Sequence, residues 1–436
     1  MYVLIAGFEI CNYLTRLAVP FLIPFIVRDF RFSETQRALL LNSFTPGYVL
    51  TQIPAGWLVQ RFGTKAIMTT NCLGISAVML ALPVAAYSGG SLAVSACLVA
   101  FGVLQSSFAP CLWTIKAAWI PTGPERAWAL MVAGFGTTIA KNLASFLTPS
   151  IAGRYGWRTA SSFYAAAVGL YTCVWQAVAS ERPVTALQAG SQPSRGVTLD
   201  SCNSHSKARS KAAFGPMQLM FAAPVVANTM LHMTHDLAEM QILAFWAPTF
   251  YNQALGIPLH NVGRYTIWPM LCSIPAKIMC ASWETSQFRK GLPLRLIRKR
   301  AALIACFVSV PCGMGFLLLR KALPITICYC GFLVGQIFDA SVIAPNKLEL
   351  GGTEDMPIIA SWASTAAWSS GLLFASLLSA LKQATGSWVP LFLVPLLLRI
   401  CGTWLYVRNM TTRMAREYLA IPLSERRDYL LRQEHS

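Results

Sequence analysis

Runs of apolar residues about 20 long, repeated along almost the whole chain, leave few folds open. A membrane-crossing helix needs roughly 20 such residues, because each rises 1.5 Å through about 30 Å of hydrocarbon. They occur at 3–27, 38–58, 66–87, 92–120, 128–151, 160–179, 218–248, 262–283, 301–319, 323–344, 357–381 and 388–407, which makes twelve. Only Arg320, Lys321 and Ala322 divide the ninth from the tenth. Pro and Gly interrupt several segments, which membrane helices tolerate when neighbours satisfy the freed backbone groups. Charged residues are 12% of the 436, about half the share of a soluble domain. Too little charge remains to cover a water-soluble surface, so the bilayer is the expected solvent and partner.

The net charge of +18 would point to nucleic acid in a soluble chain, but its placement says otherwise. If the segments alternate from a cytoplasmic amino-terminus, one side collects Arg61, Lys65, Arg126, Arg182, Arg195, Lys207, Arg209, Lys211, Arg289, Lys290, Arg295, Arg298, Lys299, Arg300, Lys347 and the arginines of the tail. The other side holds only Arg28, Arg31, Arg37, Arg154, Arg158, Arg264, Arg320, Lys321 and Lys382. This is the positive-inside bias, so both termini are expected in the cytoplasm and no nucleic acid is expected as a partner. No cleavable signal peptide is expected either, since the first segment is too long and carries Glu9 and Arg16. Met1 stands almost inside that segment, as it would if the gene encoded a further amino-terminal tail. The 13 cysteines mostly sit singly in apolar segments, so they read as small hydrophobes, with no metal site and no cofactor implied. The sequon Asn409-Met410-Thr411 falls on the cytoplasmic side and is expected to be unused.

Composition shifts at residues 181–216, a polar, basic, Ser-rich stretch that reads as a cytoplasmic linker. It separates an amino-terminal six-helix bundle, 1–180, from a carboxy-terminal one, 217–408, and a charged tail follows at 409–436, where alternating signs suggest a solvated helix. Two six-helix halves joined by a long internal loop form a layout in which substrate binds at mid-membrane, between the halves.

Ionisable groups in hydrocarbon are costly, so they should face a partner or a wet cavity. In the first segment Glu9, Asn12, Tyr13 and Arg16 stand at i, i+3, i+4 and i+7, along one helix face. In the seventh, His232, His235, Asp236 and Glu239 repeat that spacing, with Asn228 one turn earlier. A cavity between the halves would be lined by both stripes. Arg16 suits an anionic solute, because guanidinium offers a fixed fork of donors to carboxylate or phosphate. The seventh-segment residues are candidates for proton or sodium coupling, since burial and neighbours switch their charge. The plainer readings are that Arg16 pairs with an acid and that the seventh stripe glues helices together.

Other charges are weighed singly. Lys141 is mid-segment, where a cavity or counter-charge is expected. Glu9 is expected to be hydrated at the cytoplasmic face, and Lys116 to snorkel from near a helix end. Lys277 and Arg399 are read as snorkelling too, and Asp339 as a gate partner for Lys347 or Lys277. Trp57, Trp119, Trp157, Trp388 and Trp404 lie near segment ends, as interface anchors do.

Between the second and third segments the chain reads Gly56-Trp-Leu-Val-Gln60-Arg61-Phe-Gly63-Thr-Lys65. This resembles the loop motif of the major facilitator superfamily, in which glycines allow a tight turn and basic residues hold a cytoplasmic gate. Gln60 stands at a position usually acidic there. The amino-terminal half is similar to the anion transporter family of sialin, the vesicular glutamate transporters and the sodium–phosphate transporters. The matching residues are Asn12-Tyr13-x-x-Arg16, Gly47-Tyr48-x-x-Thr51-Gln52-Ile53-Pro54-x-Gly56, Phe108-x-Pro110, Trp119-x-Pro121, Glu125-Arg126 and Gly156-Trp157. After residue 165 the likeness thins to Pro248-Thr249-Phe250, Arg298-Lys299, Asp339 and Ala344-Pro345. The resemblance implies an all-α membrane protein of twelve helices in two pseudo-symmetric bundles. It also implies anion binding at Arg16, with Gln105 at the place of a family glutamate and His232 near a family histidine. Gln105 cannot titrate, so coupling through that position is in doubt.

Together these features predict a monomeric secondary transporter that symports a small organic anion or phosphate by alternating access, with Arg16, Tyr13, Asn12, Lys141 and Gln105 at the substrate. A neutral-solute or cation facilitator and a transport-dead sensor of the same fold are the alternatives. An intramembrane enzyme is not expected, because His232-x-x-His235-Asp236 is the only motif that approaches a metal site and no further ligands flank it.

Overall fold

The computed structural model describes residues 1–120, 123, 125–180, 214–239, 242, 246–426 and 429–430. The regular elements among them are helical throughout. They are α1 (Tyr2–Phe30), α2 (Glu34–Phe62), α3 (Thr64–Gln105), α4 (Phe108–Trp119), α5 (Arg126–Tyr155), α6 (Trp157–Val178), α7 (Pro216–Met220), α8 (Ala223–Ala238), α9 (Ala247–Gln253), α10 (Leu259–Arg289), α11 (Leu294–Leu318), α12 (Ala322–Gly351), α13 (Met356–Thr385), α14 (Val389–Asn409) and α15 (Ala415–Leu419). The linker expected at 181–216 lies outside the described residues up to 213.

Among the described residues every apolar segment is largely helical, and the breaks have local causes. α2 starts with a reciprocal cap, in which the Ser33 side chain accepts from Gln36 N–H and Gln36 accepts from Ser33 N–H. α3 is two spans in one helical run, parted at Gly90, where φ 59° and ψ −147° leave the helical region. The seventh segment opens as the short α7 and passes into α8; beyond Ala238 the described residues Glu239, Ile242 and Trp246 are π-helical, and α9 follows with Pro248 in its first turn.

Six described helical stretches are long and apolar enough to cross a membrane on those grounds alone: Tyr2–Phe30, Thr64–Trp119, Leu294–Leu318, Ala322–Gly351, Met356–Thr385 and Val389–Asn409. The outward surface agrees. Leu50, Phe307, Leu318 and Leu170 are each at least 70% exposed, and large exposed apolar areas of this kind mark contact with lipid or a partner. This is an all-α integral membrane protein.

The chain divides into two compact units. The first comprises Met1–Pro121, Ala129–Gly196 and Thr353–Ser361; the second comprises Thr122–Trp128, Val197–Gly352 and Trp362–Ser436. In the first, Phe8, Leu22, Ile26, Met68, Ile75, Met79, Phe101 and Trp175 build the core. The α2–α3 pair approaches backbone to backbone: a Cβ on Gly47 would stand 2.2 Å from the Val99 carbonyl oxygen, and one on Gly102 would stand 2.2 Å from that of Phe44. In the second unit Phe250, Phe316, Phe332, Leu391 and Phe392 form an aromatic core, with Phe316 and Phe392 stacked at 4.9 Å.

Two expectations about the periphery are corrected. Trp157 is buried and donates to Asp29 Oδ2 at 2.8 Å, so it belongs to the core, whereas Trp57 and Trp404 are about half exposed, as interface anchors are. The tail is not a solvated helix over its described length. Met410 and Ala415 are fully buried, Tyr418 nearly so, and only Ala415–Leu419 forms a helix before residue 420. Thr411 of the sequon is buried too, its carbonyl accepting from Asn346 Nδ2 at 2.8 Å.

Candidate functional site

In the first unit α1 carries the stripe as its spacing predicts, with unequal fates for its members. The Arg16 guanidinium is half-buried over two rings of α2, 4.3 Å from the Tyr48 centroid and 4.9 Å from that of Phe44. Nη1 also meets the Tyr48 hydroxyl at 3.5 Å. Aromatic faces attract the cation and hold the plane of its donor fork. Tyr13 packs edge-on to Phe108 at 5.2 Å. Asn12 is buried, its Nδ2 donating to Phe8 O at 3.0 Å, and its own carbonyl accepts from Gln105 Nε2 at 3.2 Å. Asn12 Oδ1 and Gln105 Oε1 are buried and have no hydrogen-bond partner among the described residues. The side chain of Lys141 lies outside the described residues.

Two readings from sequence fail one turn away. Glu9 is not hydrated and Lys116 does not snorkel; both are buried and ion-paired to each other across α1 and α4. Thr137 Oγ1 donates to Glu9 Oε2 at 3.1 Å, and Lys116 sits 4.8 Å from the Trp113 ring. A helical register can show that two charges face inward, but it does not reveal that a partner helix supplies the counter-charge.

The second unit organises the seventh-segment stripe around two histidines of different character. His232 faces Asp236 Oδ2 through Nε2 at 3.5 Å and Lys347 Nζ through Nδ1 at 3.4 Å. With an ammonium donating to Nδ1, the neutral ring with its proton on Nε2 fits both contacts. His235 instead faces a carboxylate at each nitrogen, Glu239 Oε2 at 3.5 Å from Nε2 and Asp339 Oδ2 at 3.2 Å from Nδ1. These are contacts by distance only, since Nδ1 makes no hydrogen bond among the described residues, and they become ion pairs when the ring is protonated. Asp339 Oδ2 also receives Arg399 Nη1 at 2.7 Å, and Arg399 Nε donates to Ser309 Oγ at 2.7 Å. Arg399 and Asp339 are fully buried. Arg399 therefore does not snorkel, and the partners of Asp339 are Arg399 and His235 rather than Lys347 or Lys277. Asn228 bonds the Ile343 carbonyl and Asn346 Oδ1.

A second buried charge network was missed from sequence. Arg298 pairs with Glu284 and, at 3.0 Å, with Glu349, which also lies 3.6 Å from Arg126 and accepts from Asn346. Arg298 and Arg126 were read as topology charges. The usable signal was the pair of acids, Glu284 and Glu349, just past the ends of their apolar segments.

The loop motif closes tightly. Gly63 holds φ 84° between α2 and α3. A Cβ on Gly56 would stand 2.4 Å from Ser361 Oγ, so glycine permits the approach. Gln60 donates to the Glu354 carbonyl at 3.2 Å, Lys65 donates to the Gln176 carbonyl at 3.1 Å, and Arg61 lies over Phe62. A neutral amide at position 60 thus still joins a second segment, through a hydrogen bond in place of a charge.

Comparison with known proteins agrees with this architecture. The model of the Major Facilitator Superfamily matches residues 5–376. The uncharacterized transporter YybO of Bacillus subtilis is 24% identical over 412 residues, which cover 93% of this chain and 92% of that protein. Probable anion transporter 6 of Oryza sativa subsp. japonica is 25% identical over 240 residues, 55% of this chain and 54% of the relative, so this match spans about half of each. Among solved structures, the proton:xylose symporter XylE, bound to 6-bromo-6-deoxy-D-glucose, superposes with a TM-score of 0.70 at 14% identity, over 95% of this chain and 96% of that one. An apolar surface, helices along the expected spans and a family match over most of the length lead to one assignment: the chain belongs to the Major Facilitator Superfamily, as a transporter rather than an enzyme, with relatives in the anion-transporter branch that its amino-terminal motifs resemble.

Proposed function

We propose that the chain carries a small organic anion or phosphate across the bilayer by alternating access, with Arg16 as its anion-binding group. The observation that carries this reading is the half-buried guanidinium of Arg16, held in a transmembrane helix over Tyr48 and Phe44. Intramembrane cations mark substrate paths, and a stacked guanidinium keeps its donor edge directed at a planar anion. Tyr13, Asn12, Lys141 and Gln105 complete the proposed substrate site. The unpartnered amide oxygens of Asn12 and Gln105 suit an anion that also bears hydroxyls. A relative named as an anion transporter supports the substrate class.

Coupling is assigned to the second unit. His235 takes up the proton, since protonation completes its contacts with Glu239 and Asp339, while His232, Asp236 and Lys347 hold α8 in place. Gly56, Gln60, Arg61, Gly63 and Lys65 form the gate motif. The termini are cytoplasmic by the bias of basic residues, and the working unit is a monomer. A second reading, cation transport, is favoured by one feature: ligand-type atoms of His235, Asp236 and Glu239 lie within 4.8 Å of one another.

The test is reconstitution into liposomes with labelled phosphate, carboxylates and amino acids, with and without a proton gradient. Uptake of an anion that is driven by acid outside and abolished by Arg16→Ala supports the proposal. Wild-type rates of anion uptake in Arg16→Ala would end it. Uptake of a cation that survives Arg16→Ala but not Glu239→Gln selects the second reading.

A further inference from the structure

The 31 residues of α10 extend about 46 Å, against a hydrocarbon layer of about 30 Å. Its apolar stretch ends near Trp283, so with α10 spanning the bilayer its last two turns, with Glu284, Ser286 and Arg289, and the following Lys290 would fall at the level of the lipid headgroups. There the second unit has an open surface depression of about 420 Å³, lined by Ser282, Thr285, Ser286, Arg289, Lys290 and Trp128.

The lining has a consistent chemistry. Ser282, Ser286 and Arg289 recur at i, i+4 and i+7, on one face of α10, and Thr285 flanks them. Hydroxyl donors therefore lead up to a guanidinium and an ammonium. Two acids of the neighbouring network are already committed: Glu284 pairs with Arg298, and Glu349 pairs with Arg298 and Arg126. Arg289 and Lys290 are exposed and make no ion pair among the described residues. The lining thus carries two cationic side chains without an ion-pair partner among the described residues, their charge offset in part by the negative carboxy-terminal end of the helix dipole, and three hydroxyl groups. Trp128 supplies an indole, the side chain that favours the headgroup layer.

We infer that this depression binds the phosphate-bearing headgroup of an anionic phospholipid from the surrounding leaflet, at a site separate from Arg16. Arginine and hydroxyl donors match phosphate oxygens, and basic pockets at the membrane surface are suited to such headgroups. Free phosphate shares that chemistry. Two features favour the lipid: the site opens where headgroups already are, and its volume leaves room for a polyol beyond the phosphate.

Native mass spectrometry of the purified full chain tests this with three probes: a short-chain phosphatidylinositol phosphate, a short-chain phosphatidylcholine and inorganic phosphate. The inositol lipid should be retained and phosphatidylcholine should not. Arg289→Ala with Lys290→Ala should weaken retention roughly tenfold or more, and both positions are exposed, so folding is not at stake. Ser286→Leu, which fills the depression without changing charge, should weaken it as well. Arg16→Ala should leave it intact, whatever that variant does to transport. Equal retention by the double variant, equal retention of phosphatidylcholine, or failure of the wild type to retain the inositol lipid would overturn the inference. Displacement of the lipid by inorganic phosphate would assign the depression to the free ion and overturn it too.

Discussion

His235 and Asp339 meet at 3.2 Å between α8 and α12, on the same carboxylate oxygen that takes Arg399 at 2.7 Å. One oxygen therefore faces an arginine and an imidazole from two other helices. Removing a single member of a buried pair leaves an uncompensated charge and costs on the order of 3–5 kcal/mol. Asp339→Asn should accordingly lower the thermal midpoint of the detergent-purified protein strongly. Arg399→Met should do the same, and the double variant should recover most of the loss. A double variant as unstable as the sum of the singles would show that the two charges do not compensate each other.

The two histidines should separate in function. His232→Gln replaces a ring that sits between Lys347 and Asp236 in its neutral form, so pH dependence of uptake should persist. His235→Gln removes the group whose proton completes two carboxylate contacts. Uptake driven by a proton gradient should disappear, while exchange of labelled for unlabelled anion continues and its pH profile flattens. In the wild type, uptake should fall as pH rises, because the protonated form is the competent one. A His235→Gln protein with an unchanged pH profile would remove this residue from the coupling scheme.

Hydrophobic period and length made the spans legible, since among the described residues every apolar segment is largely helical, and α1 presents its stripe as i, i+3, i+4, i+7 spacing requires. Partner identity was not legible. Lys116 and Arg399 both looked able to reach water from their positions along a helix, yet each is turned to an acid on another helix. Linear spacing fixes a face, whereas the neighbour on that face depends on how the helices are packed. For the same reason Arg298 read as one more topology charge, although Glu284 and Glu349 close around it.

The Glu9–Lys116 pair gives a direct comparison between the two readings of Lys116. A snorkelling lysine would tolerate Ala with a change of about 0.5 kcal/mol or less. A buried pair predicts a loss on the order of 3–5 kcal/mol for Lys116→Ala, and substantial recovery in Glu9→Gln with Lys116→Met. Thermal unfolding of the single and double variants, followed by loss of monodispersity, measures the difference.

Close helix packing makes a stability prediction of the opposite kind, through added volume. A Cβ at Gly102 would stand 2.2 Å from the Phe44 carbonyl oxygen, and backbone cannot move aside as a side chain can. Gly102→Val should therefore force α2 and α3 apart at a cost of about 1–3 kcal/mol or more. Gly134→Ala, where a new Cβ would meet nothing within 4 Å, is the control and should leave the thermal midpoint unchanged.

Charge and geometry at Arg16 can be separated by Arg16→Lys. The ammonium keeps the positive charge but loses the planar fork and most of the stacking over Tyr48 and Phe44. Stacked cations contribute about 0.5–2 kcal/mol, so KM for the anion should rise roughly 2- to 30-fold, with transport still measurable. Tyr48→Leu should produce part of the same rise with Arg16 in place, because the guanidinium loses the ring that fixes its plane 4.3 Å away. Arg16→Ala should abolish uptake altogether. If Arg16→Lys and Arg16→Ala were equally inactive, charge alone would be insufficient and the donor fork would be the essential element. If both retained wild-type KM, the stacked arginine would be a packing residue and the anion would bind elsewhere.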